Sequence, residues 1–303
     1  MPAGAVAVVT AGAVGFVGLG IMGSAMSGHL IRAGCVVLGF DTDPRRVAQH
    51  HERGGAVASS PADVARGADL VVTSLPSAAA LEDVLAGRQG LRDGARPGLV
   101  VVETSTLSPE TKAAARDSAA AFGAVLLDCP VSGTGQQARD GDLVAYLSGD
   151  DEPAKATALP VLRAFTRAQY DLGASGNGTK MKLVANLLVT VHNAAAAEAL
   201  LLAQRAGLDL PQVLQTVGDG AGGSRMLQVR GPLMAAGTYD EATATVRVMQ
   251  KDIALIAAFA AGLASPTPLF STAGVLYQAA LAQDRLDQDT ACVFGVLQRL
   301  AGG

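Results

Sequence analysis

The chain of 303 residues has no tryptophan, and aromatic residues make up 4% of it. Cysteine is as scarce: Cys35, Cys129 and Cys292 are far apart and odd in number, which argues against a disulfide framework. They stand at no metal-binding spacing, so no metal site is expected. Charge of one sign is missing too. Against 27 acidic residues there are 23 Lys and Arg, a net of −4, and no basic stripe that would take nucleic acid as a partner. Long apolar runs are absent. The stretch Leu187–Ala206 is interrupted by His192, Asn193, Glu198, Gln204 and Arg205, so no membrane span is expected. The opening MPAGAVAVVTAGAVGFVGLG looks like a signal peptide but has no positive leading region, and its apolar part is needed as a first strand. These absences point to a reducing, cytoplasmic setting.

Half of the residues are apolar, enough for a large core, and the length suggests two domains. The informative stretch is Val14–Met26, VGFVGLGIMGSAM. An apolar run passes through Gly18, Leu19, Gly20, Ile21, Met22 and Gly23 into a helical pattern. In a chain with 36 glycines, G-x-G-x-x-G arises easily by chance. Strand, tight turn and helix around it give it meaning. Gly18 permits the turn, Gly20 lets a pyrophosphate approach the backbone, and Gly23 lets helix and strand pack closely. The helix amino end offers free N–H groups to the phosphates. Val36–Phe40 is a second apolar run, ending at Asp41, 18 residues past Gly23. An acid at that interval accepts the ribose hydroxyls and repels a 2′-phosphate, which favours NAD over NADP. Arg45 and Arg46 leave NADP possible. Asp43, just before Pro44, is the better helix cap, leaving Asp41 for the ribose.

Alternation continues. Ala56–Ala58, Asp69–Leu75, Leu99–Glu103, Ala124–Asp128, Leu143–Ser148 and Ala168–Leu172 read as strands. Segments opening at Ser60-Pro61, Ala78, Ser108-Pro109 and Pro153 read as helices. Such alternation predicts a Rossmann-type, doubly wound sheet of parallel strands. A long helix follows over Gly178–Gly207, then only helices: Leu210–Val217, Val246–Gly262, Pro268–Gln283 and Asp289–Leu300. The expected domains are 1–175, binding the dinucleotide, and 176–303, all-α and joined by the long helix. Ala-rich faces at Ala194–Ala197 and Ala257–Ala261 suit close packing, in a core or between subunits.

In an open α/β sheet, ligands bind beyond the carboxyl ends of the strands. Leu75-Pro76, Glu103–Thr106, Asp128–Gly135 and the start of the long helix arrive there. Ser132-Gly133-Thr134-Gly135 reads as a small, flexible, polar loop able to offer N–H groups and hydroxyls to a carboxylate or phosphate, or as an ordinary surface turn. On the long helix Lys182 and Asn186 are four apart and share a face among apolar neighbours. Partial desolvation would lower the lysine pKa towards proton-transfer duty. A snorkelling lysine is the simpler alternative, and Lys180, nearer the helix end, suits that part better.

Taken together, these segments resemble the β-hydroxyacid dehydrogenase family over residues 14–300. Gly15–Met26 is similar to its cofactor loop, Asp128–Gly141 to its substrate loop, and Gly176 through Lys182 and Asn186 to its Gly-x-Gly-x-x-x-Lys-x-x-x-Asn stretch. Lys251-Asp252 and Asp289 match later motifs. The resemblance implies that Lys182 is the acid/base, that Asn186 holds the substrate, and that Ser132, Gly133 and Thr134 bind its carboxylate. It implies that Leu75, Pro76 and Thr106 line the nicotinamide, that Lys251 approaches cofactor or substrate, and that the protein is a homodimer or homotetramer. Departures from the family pattern are Thr134 for a glycine, Ala185 for asparagine, Ala244 for phenylalanine and Gln137 for a small residue. All surround the expected pocket and suggest a substrate other than 3-hydroxyisobutyrate. The expected activity is reversible hydride transfer between NAD(P) and a small β-hydroxyacid or its semialdehyde. Imine reduction, decarboxylating oxidation of a sugar phosphate, another NAD-dependent chemistry on the same first domain, and a non-catalytic dinucleotide-binding module are the alternatives.

Overall fold

The computed structural model of the chain describes residues 12–302. Residues 1–11, read above as leading into a first strand rather than as a signal peptide, lie outside the described residues. The chain runs β1 (Val14–Val17), α1 (Ile21–Arg32), β2 (Val37–Phe40), α2 (Pro44–Glu52), β3 (Ala56–Val57), α3 (Pro61–Gly67), β4 (Leu70–Thr73), α4 (Ala78–Ala86), β5 (Val100–Glu103), α5 (Pro109–Ala121) and β6 (Val125–Asp128). Asp43, Ser60, Ser77 and Ser108 each accept an N–H of the helix that follows, satisfying donors the first turn would otherwise leave bare.

These six strands form one parallel sheet in the order β3-β2-β1-β4-β5-β6. The order reverses between β1 and β4, the crevice where such sheets take their ligands. Alternate side chains enter two cores. Phe16, Val72, Val102 and Leu127 pack on one face, and Val17, Val71, Val101 and Leu126 on the other. Burial on both faces explains why these strands read as unbroken apolar runs.

The doubly wound parallel sheet ends at β6, and the strands read at Leu143–Ser148 and Ala168–Leu172 lie in a second, small sheet. The next elements are β7 (Val131–Ser132), α6 (Gly135–Arg139), β8 (Leu143–Leu147), α7 (Glu152–Arg163) and β9 (Thr166–Asp171). Strands β7, β8 and β9 make a separate sheet in which β7 runs antiparallel to β8. Only two residues separate β6 from β7. The chain runs on from β6 into β7 in one direction, pairing with β8 in a single antiparallel register that includes the Asp128–Ser148 bridge, and it turns back only through α6.

Then come α8 (Asn177–Arg205), α9 (Leu210–Asp219), α10 (Arg225–Ala236), α11 (Val246–Gly262), α12 (Pro268–Ala282) and α13 (Val293–Leu300), the last preceded by a 3-10 turn over Thr290–Cys292. The chain divides into two compact units, 1–182 and 183–303, with the boundary inside α8. The second unit has its own core around the fully buried Tyr277, with Leu200, Met249 and Phe294. The Asn193 amide donates to the Tyr277 hydroxyl and to the Thr290 carbonyl, both at 2.9 Å. Buried Arg230 meets Asp289 at 2.7 Å. Ala196 and Ala197 belong to this core, whereas Ala257, Ala258 and Ala261 are exposed.

Helix α10 was not expected. Its Gly231-Pro232 pair reads as a break, yet the helix continues from its Ser224 cap to Gly237, which ends it in the left-handed region at φ 66°. Gly231 is there for contact: a Cβ would lie 2.3 Å from Leu214 of α9. Helix α8 also departs from expectation. Its best 18-residue window has mean hydropathy 1.3, enough in length and composition to cross a membrane. Nothing about it requires lipid. Its buried Thr179, Lys182, Asn186, Thr190 and Asn193 recur every three or four residues as a polar stripe on one face, as in a core helix serving a site.

Candidate active site

Register decides what meets at the carboxyl edge of the large sheet. Phe40, Val17, Thr73, Glu103 and Asp128 pair in one row across β2, β1, β4, β5 and β6. Gly18, Asp41, Leu75, Pro76, Thr106 and Ser132–Thr134 follow that row within a few residues, so the sheet delivers them to one edge. Lys182 belongs to the same unit; Asn186 and Lys251 belong to the second.

The glycine loop is shaped as its spacing predicts. Gly18 has φ 92°, and a Cβ there would lie 2.2 Å from the Ser74 carbonyl oxygen. A Cβ on Gly23 would lie 1.9 Å from the Gly18 carbonyl oxygen. Gly20 faces open space instead, its nearest neighbour being Arg46 Nη1 at 3.8 Å. No side chain caps α1, so its first-turn N–H groups remain for an anion. This cradle fits a dinucleotide pyrophosphate. Asp41 lies beside it: Oδ2 accepts the Leu19 N–H at 2.7 Å and Oδ1 the Asp43 N–H at 2.8 Å. Arg46 reaches Asp41 at 3.4 Å and Asp43 at 3.8 Å, while Arg45 pairs with Asp43. Asp43 is the cap of α2.

Beneath the edge lies a buried ionic cluster that the sequence reading did not identify. Lys112 of α5 bridges Glu103 and Asp128, the neighbours that end β5 and β6, and approaches Asp128 Oδ1 at 3.0 Å. All three are almost fully buried. Burial alone would weaken the Lys112 ammonium, but the two carboxylates outweigh it and hold its pKa above the ordinary value. Glu103 also accepts the Ser105 N–H at 3.1 Å and its hydroxyl. Ser105 Oγ in turn accepts the Leu75 N–H at 2.8 Å. Asp128 accepts from Thr179 through both the backbone N–H, at 2.7 Å, and the hydroxyl, at 2.8 Å. A signal was available: two all-apolar strands, VVVE and VLLD, each end in an acid.

The substrate-loop expectation needs correction. Ser132 is tied into β7 opposite Val144, and Thr134 is the N-cap of α6 rather than part of a flexible loop. Thr134 Oγ1 accepts the Gln137 N–H, and Gln137 Oε1 accepts the Thr134 N–H at 3.0 Å, a reciprocal capping box. The Thr134 amide is therefore already engaged. Gln137 is held in turn by Asp142 at 3.1 Å. Gly133 keeps φ 144°, and a Cβ there would lie 2.6 Å from Leu143. The pattern Thr-x-x-Gln was legible as a box.

Lys182 is buried, 7% exposed, one helical turn before Asn186 on α8. Lys180 is exposed. The Asn186 amide donates to Asp252 Oδ2 at 2.7 Å. A carboxylate only accepts, which fixes the amide with its Oδ1 as the remaining acceptor. Lys251 lies 3.1 Å from the other oxygen of Asp252, so Asp252 joins Asn186 and Lys251. Among the described residues no group of three His, Cys, Asp or Glu side chains could hold a metal ion.

Two family profiles match: "NAD binding domain of 6-phosphogluconate dehydrogenase" over residues 13–174, and "NAD-binding of NADP-dependent 3-hydroxyisobutyrate dehydrogenase" over residues 176–297. An L-threonate dehydrogenase of Cupriavidus necator is 33% identical, over 93% of this chain and 95% of that protein. The chloroplastic glyoxylate/succinic semialdehyde reductase 2 of Arabidopsis thaliana is 32% identical, over 94% of this chain and 79% of its own. A crystal structure of 3-hydroxyisobutyrate dehydrogenase from Salmonella typhimurium superposes with a TM-score of 0.85 at 32% identity, covering 94% of this chain and 99% of that one.

Proposed function

This chain belongs to the β-hydroxyacid dehydrogenase family, an NAD(P)-dependent oxidoreductase acting on a small hydroxyacid or its semialdehyde, and we propose that Lys182 is its proton-transfer group. The bound nicotinamide supplies the redox chemistry by accepting or giving the hydride. In oxidation the Lys182 amine takes the proton of the substrate hydroxyl; in reduction its ammonium returns one. Asn186, oriented by Asp252, holds that oxygen through its Oδ1. Ser132 and Gly133, together with the Thr134 hydroxyl, bind the substrate carboxylate. Leu75, Pro76 and Thr106 line the nicotinamide, and Lys251 approaches the cofactor or substrate. Asp41 takes the ribose hydroxyls and favours NAD.

The observation that carries this reading is the buried lysine one turn ahead of a carboxylate-oriented asparagine. Imine reduction and a non-catalytic role are not favoured, since the relatives that share about a third of their residues with this chain over most of its length, described above, are named for hydroxyacids and semialdehydes. The domains we propose are 1–175 and 176–303, for cofactor and for substrate and assembly. Assembly is as a homodimer or homotetramer through the helical unit, where Leu202, Leu269 and Val275 are exposed. Three free thiols suit a reducing cytoplasm. The substrate we propose differs from 3-hydroxyisobutyrate, on the ground that Thr134 and Gln137 fill the loop with a capping box.

The test is a nicotinamide absorbance assay with 3-hydroxyisobutyrate, L-threonate, glyoxylate and succinic semialdehyde, each with NAD(H) and NADP(H). Lys182→Ala should lose ~10²–10⁴-fold in turnover while NADH still binds. Undiminished turnover in that variant would overturn the assignment.

A further inference from the structure

Three buried charges are a poor way to stabilise a core, because well-packed apolar residues often do as well or better. Glu103, Lys112 and Asp128 therefore invite a reason beyond stability. Lys112 is not equipped to move protons. An ammonium has three donors, and Lys112 has three acceptors around it: the Glu103 carboxylate, the Glu103 carbonyl at 3.3 Å and Asp128 Oδ1 at 3.0 Å.

What the cluster does is join two places. On one side the path runs from Glu103 to the Ser105 hydroxyl and on to the Leu75 N–H, in the turn after β4. On the other it runs from Asp128 to both donors of Thr179, in the first turn of α8. Ser148 reinforces that end, its Oγ accepting the Gly178 N–H at 2.9 Å. These bonds occupy N–H groups that the start of α8 would otherwise leave bare, and they set a negative charge against the helix amino end. Lys182 follows Thr179 by three residues on the same face.

We infer that Lys112 is a positioning residue for the reaction: through Glu103 and Asp128 it fixes the Leu75 turn and the first turn of α8 as one piece, and thereby sets where the Lys182 amine stands relative to the nicotinamide side. This rests on the reading of Lys182 above. Positioning of this kind acts on kcat, because a displacement of about 1 Å can lower the rate about 10²-fold.

The test uses Thr179→Val, Ser105→Ala, the double variant and Lys112→Met in the full chain, with Thr179→Ser as the conservative rescue and Lys182→Ala as control. Glyoxylate and succinic semialdehyde are reduced with NADH and with NADH deuterated at nicotinamide C4. Thr179→Val should lower kcat by about 10- to 100-fold and change KM for NADH by less than about threefold. Its isotope effect on kcat should rise as chemistry becomes limiting, and Thr179→Ser should restore both. A loss of folded protein would lower the amplitude and leave the isotope effect unchanged. The double variant should lose less than the product of the single losses, as coupled sites do. Amide hydrogen exchange, which needs no substrate, should speed up at residues 73–76 and 177–182 together in Lys112→Met. Should Lys112→Met not fold, exchange in Ser105→Ala decides: loosening must reach residues 177–182 as well as 73–76.

Independent exchange of the two segments would overturn the inference. So would an unchanged kcat and isotope effect in Thr179→Val while Lys182→Ala is inactive. Turnover that survives Lys182→Ala would instead overturn the reading of Lys182, and the positioning role with it.

Discussion

Gly20 and Gly23 make different demands on a side chain. A Cβ on Gly23 would press into the Gly18 carbonyl, whereas one on Gly20 would meet nothing closer than 3.8 Å. Gly23→Ala should therefore lower both the melting temperature and NADH affinity, an overpacking of about 1–3 kcal/mol. Gly20→Ala should melt as the parent does and still lose NADH affinity, because its methyl projects to where the pyrophosphate would lie. Differential scanning fluorimetry and NADH fluorescence titration separate the two. His50 offers a pH test. Its ring lies against Gly39 and Gly55, and Nε2 donates to the Val37 carbonyl at 3.2 Å. Burial lowers its pKa below the ordinary value. The folded state therefore favours the neutral ring. Its stabilising contribution is complete above the unfolded value of about 6.5 and is lost as pH falls towards the lower folded value. Melting temperature should drop on acidification through pH ~6.5, and His50→Leu should flatten that slope.

Among the elements, α6 shows what a short helix owes to its cap. Thr134→Ala removes the acceptor for the Gln137 N–H and should cost ~1 kcal/mol in denaturant unfolding. It should also raise KM for the acid substrate, because Gly133 and Thr134 lose their fixed geometry; an unchanged KM would count against this loop as the carboxylate site. Legibility followed the same local rules. Strands β1, β4 and β5 were readable because both faces are buried, and α2, α3 and α5 because Asp43-Pro44, Ser60-Pro61 and Ser108-Pro109 announce them. Helix α10 was not, since Gly231-Pro232 imitates punctuation when a glycine is in fact needed for contact with Leu214. The antiparallel β7 was hidden because two residues are too few to show a period. The Glu103–Lys112–Asp128 cluster depends on strand register across separate segments, and no spacing along the chain encodes that.

For the molecule as a whole, the exposed leucines of the helical unit bear on assembly. Leu202 is 72% and Leu269 73% exposed, and the proposed assembly through the helical unit would cover them. Light scattering should give two or four times 30.4 kDa, and Leu202→Glu with Leu269→Glu should shift the mass downwards. A parent mass of one chain would refute assembly through this face. The change from alternating strands and helices to helices alone was legible in the sequence, and α8 reads there as one unbroken helix.

The order of strands has a further consequence. Asp41 follows β2 and the Ser132–Gln137 segment follows β6, and those strands are four neighbours apart, ~19 Å at ordinary spacing. Changes at that separation combine additively. With the roles proposed for Asp41 and Thr134, cofactor choice and acid choice become two separate dials: an Asp41 variant that admits NADP and a Thr134 variant that admits another acid should combine additively, which activity of the double variant checks.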